Sequence, residues 1–304
     1  MNKIKGLVAA PFSVLDSRGE LQLEKIPAYC EMLEKNKITG AFINGSTGEG
    51  VSLTHKEKMQ TLEQWSNASN GKALKLINLV GGTSYKECID SAIHSEKCGT
   101  DAIAILAPYY FKPPCAKALV DFCALIAESV PKMPVYFYHI PVLTGCHISM
   151  FDFLKEADSV IPNLAGIKYT HEDFMDFLSC LHFKDGKYDM LWGRDENLLS
   201  ALALGAEGGV GSTYNYAAPL YLDLIAAYNA GDFTSARTLQ QKSINMIYLL
   251  GKYGGISTGK AYMRYINFDL GGFRLPVGNM SDSAYADFCR DVKKLNMEDS
   301  LSKV

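Results

Sequence analysis

Eight short apolar, β-rich segments punctuate the chain: GLVAAPF from Gly6, GAFING from Gly40, KLINLVG from Lys75, AIAILAP from Ala102, VYFYHIP from Val135, AGIKYT from Ala165, DMLWG from Asp189 and GGVGST from Gly208. Each ends in, or directly before, Gly, Pro, Asn, Ser or Thr, and helical spacing fills the stretches between them. In LTHKEKMQTLEQWSNAS, Thr54 is placed to cap a helix, and Leu53, Met59, Leu62 and Trp65 repeat with a period near 3.6. This alternation predicts a parallel sheet with helical crossovers. Eight such units favour closure into a (β/α)8 TIM barrel of the α/β class, although periodicity alone leaves an open doubly wound sheet as the alternative.

Beyond Ser212 the chain runs further than one closing helix needs. Pro219 suits the first helical position before LYLDLIAAYNAGD, and FTSARTLQQKSINMIYLLGKYG and SDSAYADFCRDVKKLN are helical in pattern. The expected organisation is one domain: barrel strands and helices over 1–216, then a closing helix and helical C-terminal extension over 217–304, packed on the barrel or on a partner subunit.

Composition narrows the function. A 304-residue chain that is 48% hydrophobic can bury one large core. Its 30 basic and 33 acidic side chains are mixed without runs of either sign, which argues against nucleic acid or an anionic membrane as partner. MNKIKGLVAAPF is apolar only from Gly6 to Phe12, and no apolar run approaches the roughly 20 residues of a membrane span. The eight cysteines form no CxxC pair and no metal-ligand spacing with His, so they read as reduced thiols, and the expected setting is the cytoplasm, with no metal.

In a barrel, the loops after the strands carry the chemistry. Lys168 lies near the end of the sixth segment after apolar neighbours. Desolvation at a barrel mouth would free its amine to attack a carbonyl; the plain alternative is a strand-end lysine snorkelling to water. After the second segment, GSTGEG offers Ser46, Thr47 and glycine-rich N–H groups as a carboxylate cradle, or merely a tight turn with Glu49 near a helix start. It lacks the GK[ST] ending of a P-loop.

Tyr138, one strand before the lysine, is a proton shuttle or one core aromatic among 17 tyrosines, and alternation points its neighbour His139 away from it. GRDE from Gly193 and GST from Gly211 end the last two segments, with carboxylates and hydroxyls suited to sugar diols, to a metal, or to a solvated helix start. All these motifs converge on one barrel face.

GSTGE from Gly45, APYY from Ala107, YHIP from Tyr138, GIKYT from Gly166 and GSTYN from Gly211 stand in one order over nearly the whole chain. In these motifs the chain resembles the N-acetylneuraminate lyase and dihydrodipicolinate synthase superfamily of pyruvate-dependent aldolases. Ser46-Thr47 in place of two threonines, GSTYN, and Leu143 where synthases carry a carboxylate-gripping arginine are similar to the sialic acid lyase branch. Arg194 departs from the aromatic or aliphatic residue that bacterial lyases usually carry there.

The resemblance implies a class I aldolase that reversibly cleaves N-acetylneuraminate, with no organic cofactor or metal. Lys168 would form the Schiff base, Ser46 and Thr47 would hold the substrate carboxylate, and Tyr138, assisted by Tyr110, would relay the proton. Thr170, Gly193, Asp195, Glu196 and Ser212 would bind sugar hydroxyls. It also implies a homotetramer. The alternatives are a related pyruvate-dependent aldolase for another 2-keto-3-deoxy sugar acid, or a barrel that binds such an acid without turning it over.

Overall fold

The computed structural model describes residues 3–304. All eight apolar segments are strands: β1 (Gly6–Ala9), β2 (Gly40–Ile43), β3 (Lys75–Leu79), β4 (Ala102–Leu106), β5 (Val135–His139), β6 (Leu164–Tyr169), β7 (Asp189–Trp192) and β8 (Gly208–Gly211). They pair in parallel and in sequence order, β8 returning to β1, so the sheet closes and the open alternative is excluded. Helices ring it: α1 (Ile26–Lys35), α2 (His55–Ser69), α3 (Tyr85–Cys98), α4 (Ala116–Ala127), α5 (Pro141–Thr144), α6 (Met150–Ala157), α7 (Phe174–His182), α8 (Leu198–Leu204) and α9 (Tyr214–Asn229). The extension adds α10 (Phe233–Tyr253), α11 (Ser257–Tyr265) and α12 (Asp282–Lys294).

Both faces of each strand are covered, which is why the strands read as near-continuous apolar runs. Alternation still separates the two sides. Phe42, Ile77, Ala104, Tyr136, Tyr138, Leu191 and Val210 fill the barrel interior, while Ile105, Phe137 and Ile167 pack outward with helix residues such as Phe153. Gly166 faces inward, where a Cβ would collide with the Asp189 carbonyl. Below it, the Tyr136 hydroxyl and the Ile4 N–H both donate to Asp189 Oδ2, at 2.8 and 2.9 Å, closing the N-terminal end of the barrel.

Thr54 caps α2 as expected, its hydroxyl accepting from the Glu57 N–H while the Glu57 carboxylate accepts from the Thr54 N–H. The closing helix differs from expectation. It starts at Tyr214 and kinks at Ala217 (φ −138°, ψ 32°), so the anticipated 216/217 boundary falls inside α9 and Pro219 opens the segment beyond the kink. Proline removes an N–H and crowds the carbonyl four residues back, which a straight helix cannot absorb. The C-terminal tail satisfies the freed groups: the Ser302 N–H donates to the Tyr216 carbonyl (2.8 Å), and the Ala218 N–H donates to Ser302 Oγ (3.1 Å).

Helix α11, which the apolar pattern does not announce, locks the extension onto the barrel. Its Lys260 Nζ donates to Glu49 Oε1 (2.9 Å) and to the Gly272 carbonyl (2.6 Å), both side chains being only 3% exposed. Glu49 also accepts from the Ser13 hydroxyl and, through Oε2, from the Arg274 N–H at 2.8 Å. The final Glu of GSTGE is therefore buried, held in the left-handed region (φ 55°), and fastens the loop after β2 from behind.

Replacing Lys260 by Ala leaves a buried carboxylate without its cation. Urea unfolding is expected to show a loss of about 3–5 kcal/mol, most of which the Glu49→Gln/Lys260→Met double replacement recovers. Equal losses in the two variants would show that the pair contributes only packing.

Candidate active site

Lys168 and Tyr138 are register partners on β6 and β5, both facing the interior near the C-terminal ends of their strands. The Lys168 amine lies 3.8 Å from the ring centroid of Phe42 and 4.0 Å from that of Tyr138, and the two rings meet edge to face at 5.4 Å. The side chain is 4% exposed, so it does not snorkel. Burial pulls its pKa down to about 7, against the opposing pull of the Asp195 charge. Ring faces favour the cation, but only by about 0.5–2 kcal/mol, and desolvation wins. A large share of the amine is therefore free and nucleophilic at neutral pH.

The loop after β2 brings Ser46 and Thr47 to this amine's neighbourhood. Asn44 turns the chain in the left-handed region (φ 57°) and donates to Asn78 Oδ1 (2.8 Å), which ties the turn to β3. Gly50 packs so closely on the Asn44 carbonyl that a Cβ would collide with it. Ser46 Oγ then lies 3.5 Å from the Tyr138 hydroxyl. Burial pushes the Tyr138 phenol up, with the Ser46 hydroxyl acting in the opposite sense, so the ring keeps its proton at neutral pH.

The remaining candidates end β6, β7 and β8. The Thr170 hydroxyl is buried without a partner among the described residues, and a Cβ on Gly193 would occupy its space. Asp195 Oδ2 accepts from the Thr213 N–H (3.0 Å) and Thr213 Oγ1 (2.7 Å), whereas its buried Oδ1 has no partner among the described residues. Burial raises the Asp195 carboxyl to about 6, while the Thr213 donors and the Lys168 charge pull it down. Gly211, beside the half-buried Ser212, leaves room for the carboxylate, since a Cβ there would collide with it. Glu196 stands nearer the surface, held by Arg194 Nη2 at 2.7 Å; the same nitrogen holds Glu172 at 2.9 Å.

The structure thus gathers Lys168, Tyr138 and Ser46 in one cluster, with Thr47, Thr170, Gly193, Asp195 and Ser212 around it and Glu196 at the rim. Tyr110 stands apart: it is 77% exposed and packs edge-on against Phe111 within the protomer. His139 points outward as alternation requires, against Tyr169 and His171, and burial drops its pKa to about 3, so it is a neutral packing residue.

Two contributors were not named as site residues from the sequence, although each lies within a segment quoted above. Phe42 could have been found from the two-residue alternation of β2, which puts it in the layer of Tyr138. Thr213 acts through a fold contact that spacing cannot reveal. Among the described residues, no group of three or more His, Cys, Asp or Glu side chains is arranged to hold a metal ion. A cavity of about 570 Å³ lined by Lys260, Arg264 and Tyr285 shares none of the Lys168 cluster.

A depressed lysine pKa has a direct kinetic consequence. Below about pH 7 the free amine falls tenfold per pH unit, so borohydride-trapped imine formation with a small 2-oxo acid should climb steeply up to that point and level off above it. A rate that keeps climbing towards pH 10 would mean the amine is solvated.

The model of the Dihydrodipicolinate synthetase family matches residues 3–295. The chain is 37% identical over 294 residues to the N-acetylneuraminate lyase of Xenopus tropicalis, covering 95% of each, and 36% identical over 313 residues to that of Homo sapiens, covering 97% of each. Among solved structures, the N-acetylneuraminate lyase of Proteus mirabilis superposes with a TM-score of 0.94 at 38% identity, over 97% of this chain and 99% of the other. With a closed barrel, a dry lysine on its sixth strand and a match over nearly its full length, this chain belongs to the dihydrodipicolinate synthetase family.

Proposed function

We propose that the protein is a class I aldolase that reversibly cleaves N-acetylneuraminate to N-acetylmannosamine and pyruvate. The desolvated Lys168 amine carries this reading, and the relatives' activity favours this substrate. The free amine adds to the C2 ketone of the open-chain sugar acid and expels water, forming an imine, while Ser46, Thr47 and the loop N–H groups hold the carboxylate. The protonated imine is then the electron sink. The C4 hydroxyl gives up its proton, the C3–C4 bond breaks, and its electrons pass into the imine, leaving an enamine and N-acetylmannosamine. Protonation at C3 and hydrolysis release pyruvate and restore the amine.

Tyr138 suits the proton transfer as a relay rather than as a phenolate base. Its raised pKa keeps it protonated, so it takes the C4 proton only as it passes its own to the substrate carboxylate beside Ser46. Asp195, Thr170, Gly193, Glu196 and Ser212 bind the sugar hydroxyls, a reading supported by the Asp195 Oδ1 and the Thr170 hydroxyl, which are buried polar atoms without a hydrogen bond among the described residues.

We assign the working form to a cytoplasmic homotetramer. The exposed run Tyr109 to Phe111 offers an aromatic surface for a second copy, which would bring Tyr110 to a site it does not reach within its own protomer. No helix among the described residues is long and apolar enough to cross a membrane.

Wild-type protein should gain a pyruvate adduct after borohydride reduction and release pyruvate from N-acetylneuraminate in a lactate dehydrogenase-coupled assay. Lys168→Ala should lose both, and Tyr138→Phe should lower kcat by about 10²–10⁴ while still forming the adduct. Equal or faster cleavage of 2-keto-3-deoxygluconate would move the assignment to another sugar-acid aldolase, and no adduct at all would sink the class.

A further inference from the structure

We propose that Tyr221 and Ser243, on the helices behind the barrel, are positioning residues: with Thr213 they form a line of hydroxyls that fixes the Asp195 carboxylate for the sugar chain. The inference rests on the assignment of Asp195 as a sugar ligand and adds two residues that no motif marks.

The line is short and dry. Thr213 Oγ1 lies 2.7 Å from Asp195 Oδ2 and 2.7 Å from the Tyr221 hydroxyl, which lies 2.7 Å from Ser243 Oγ. Thr213 is 2% exposed, and Tyr221 and Ser243 are fully buried. A hydroxyl has one proton to give, so the chemistry sets the direction. An ionised carboxylate only accepts, so Thr213 donates to Asp195. Tyr221 must then donate to Thr213, and Ser243 to Tyr221.

All three protons therefore point the same way, each bond polarising the next towards the carboxylate. The backbone beneath is held as well, because Gln240 Nε2 donates to the Asp195 carbonyl (3.1 Å) while its Oε1 accepts from the Leu199 N–H (2.9 Å). With Oδ2 committed to both the N–H and the hydroxyl of Thr213, the carboxylate is held against turning, and its buried Oδ1 accepts no hydrogen bond among the described residues. α9 and α10 thus reach the sugar end of the site without touching the lysine end.

The test is a split between two half-reactions. Tyr221→Phe removes one hydroxyl and keeps the ring. It should raise the KM for N-acetylneuraminate about five- to tenfold with kcat within about twofold, and leave the rate of pyruvate adduct formation at Lys168 unchanged. Ser243→Ala, one bond further back, should shift KM the same way by less, and Thr213→Val, which removes the direct donor, by more.

An unchanged KM in Tyr221→Phe would overturn the proposal. So would equal losses in KM and in adduct formation, the mark of general loosening; melting curves of all three variants identify any that fail to fold. If the wild type prefers another 2-keto-3-deoxy sugar acid, the substrate assignment fails, and the same split read on that acid decides the inference separately. Wild-type adduct formation without cleavage of any such acid would overturn both.

Discussion

The proposed chemistry depends on keeping one amine dry. Lys168 sits between two aromatic faces, above a layer in which Tyr136 and Asp189 seal the barrel floor. The sealing layer carries its own charge problem. The Asp189 carboxyl is raised by burial, against the pull of the Ile4 N–H and the Tyr136 hydroxyl, and the charge that acts on the lysine is that of Asp195. Asp195, the carboxylate that does act on Lys168, is itself buried and raised to about 6. A solvated aspartate in contact with the amine would hold it as a cation. A buried one, its own charge disfavoured by desolvation, does not outweigh the burial of the amine, which stays near the midpoint of its titration at neutral pH.

A second constraint places the loop after β2, the proposed carboxylate cradle. Loops at a barrel mouth are mobile unless something fastens them, and a cradle that moved by an ångström would misplace the ketone against the amine. Here the fastening comes from beyond the barrel: Lys260 of α11 and the backbone at Arg274 grip Glu49 from the rear, while the Arg274 guanidinium pairs with Glu57 at the start of α2. The extension is therefore part of the site's rigidity. Its last residues complete the same unit, since Ser302 fills the hydrogen bonds opened by the kink in α9, the helix that carries Tyr221.

What the sequence disclosed follows the physics of each element. The strands were legible because a closed parallel sheet buries both faces and writes each strand as an apolar run with a loop former at its end, as in KLINLVG and VYFYHIP. Lys168, Tyr138 and Ser46 were legible because strand order turns spacing into proximity; their neighbours in the barrel were fixed once the eight segments were counted. His139 was correctly turned outward by alternation alone.

The long-range polar contacts were not legible. Lys260 and Glu49 are 211 positions apart and Asp195 and Tyr221 meet through Thr213, and no periodicity encodes such pairings. Helix α11 was missed because its buried face includes Ser257, Thr258, Gly259 and Lys260, which read as polar. Pro219 was read as a helix start when Tyr214 had already begun one, because the tail that repairs the kink lies some eighty residues further along and local propensity cannot anticipate it.

The site's two ends are built to different standards, and the difference bears on what can vary. The lysine end stands on strands, in contact with rings that cannot move without repacking the core. The rim is held by Arg194 between Glu172 and Glu196, side chains that are 27%, 55% and 32% exposed, and ion pairs that wet contribute geometry more than stability. On the proposed assignment, a change at the rim therefore alters how the distal sugar hydroxyls are received while the imine chemistry continues. Arg194 bears on that reception through Glu196: its guanidinium is already shared between two carboxylates, so it orients an acceptor and presents little net positive charge to a substrate. Such a rim suits a neutral polyhydroxyl chain better than a phosphorylated one, whose dianion would have to displace the carboxylates that hold Arg194 in place.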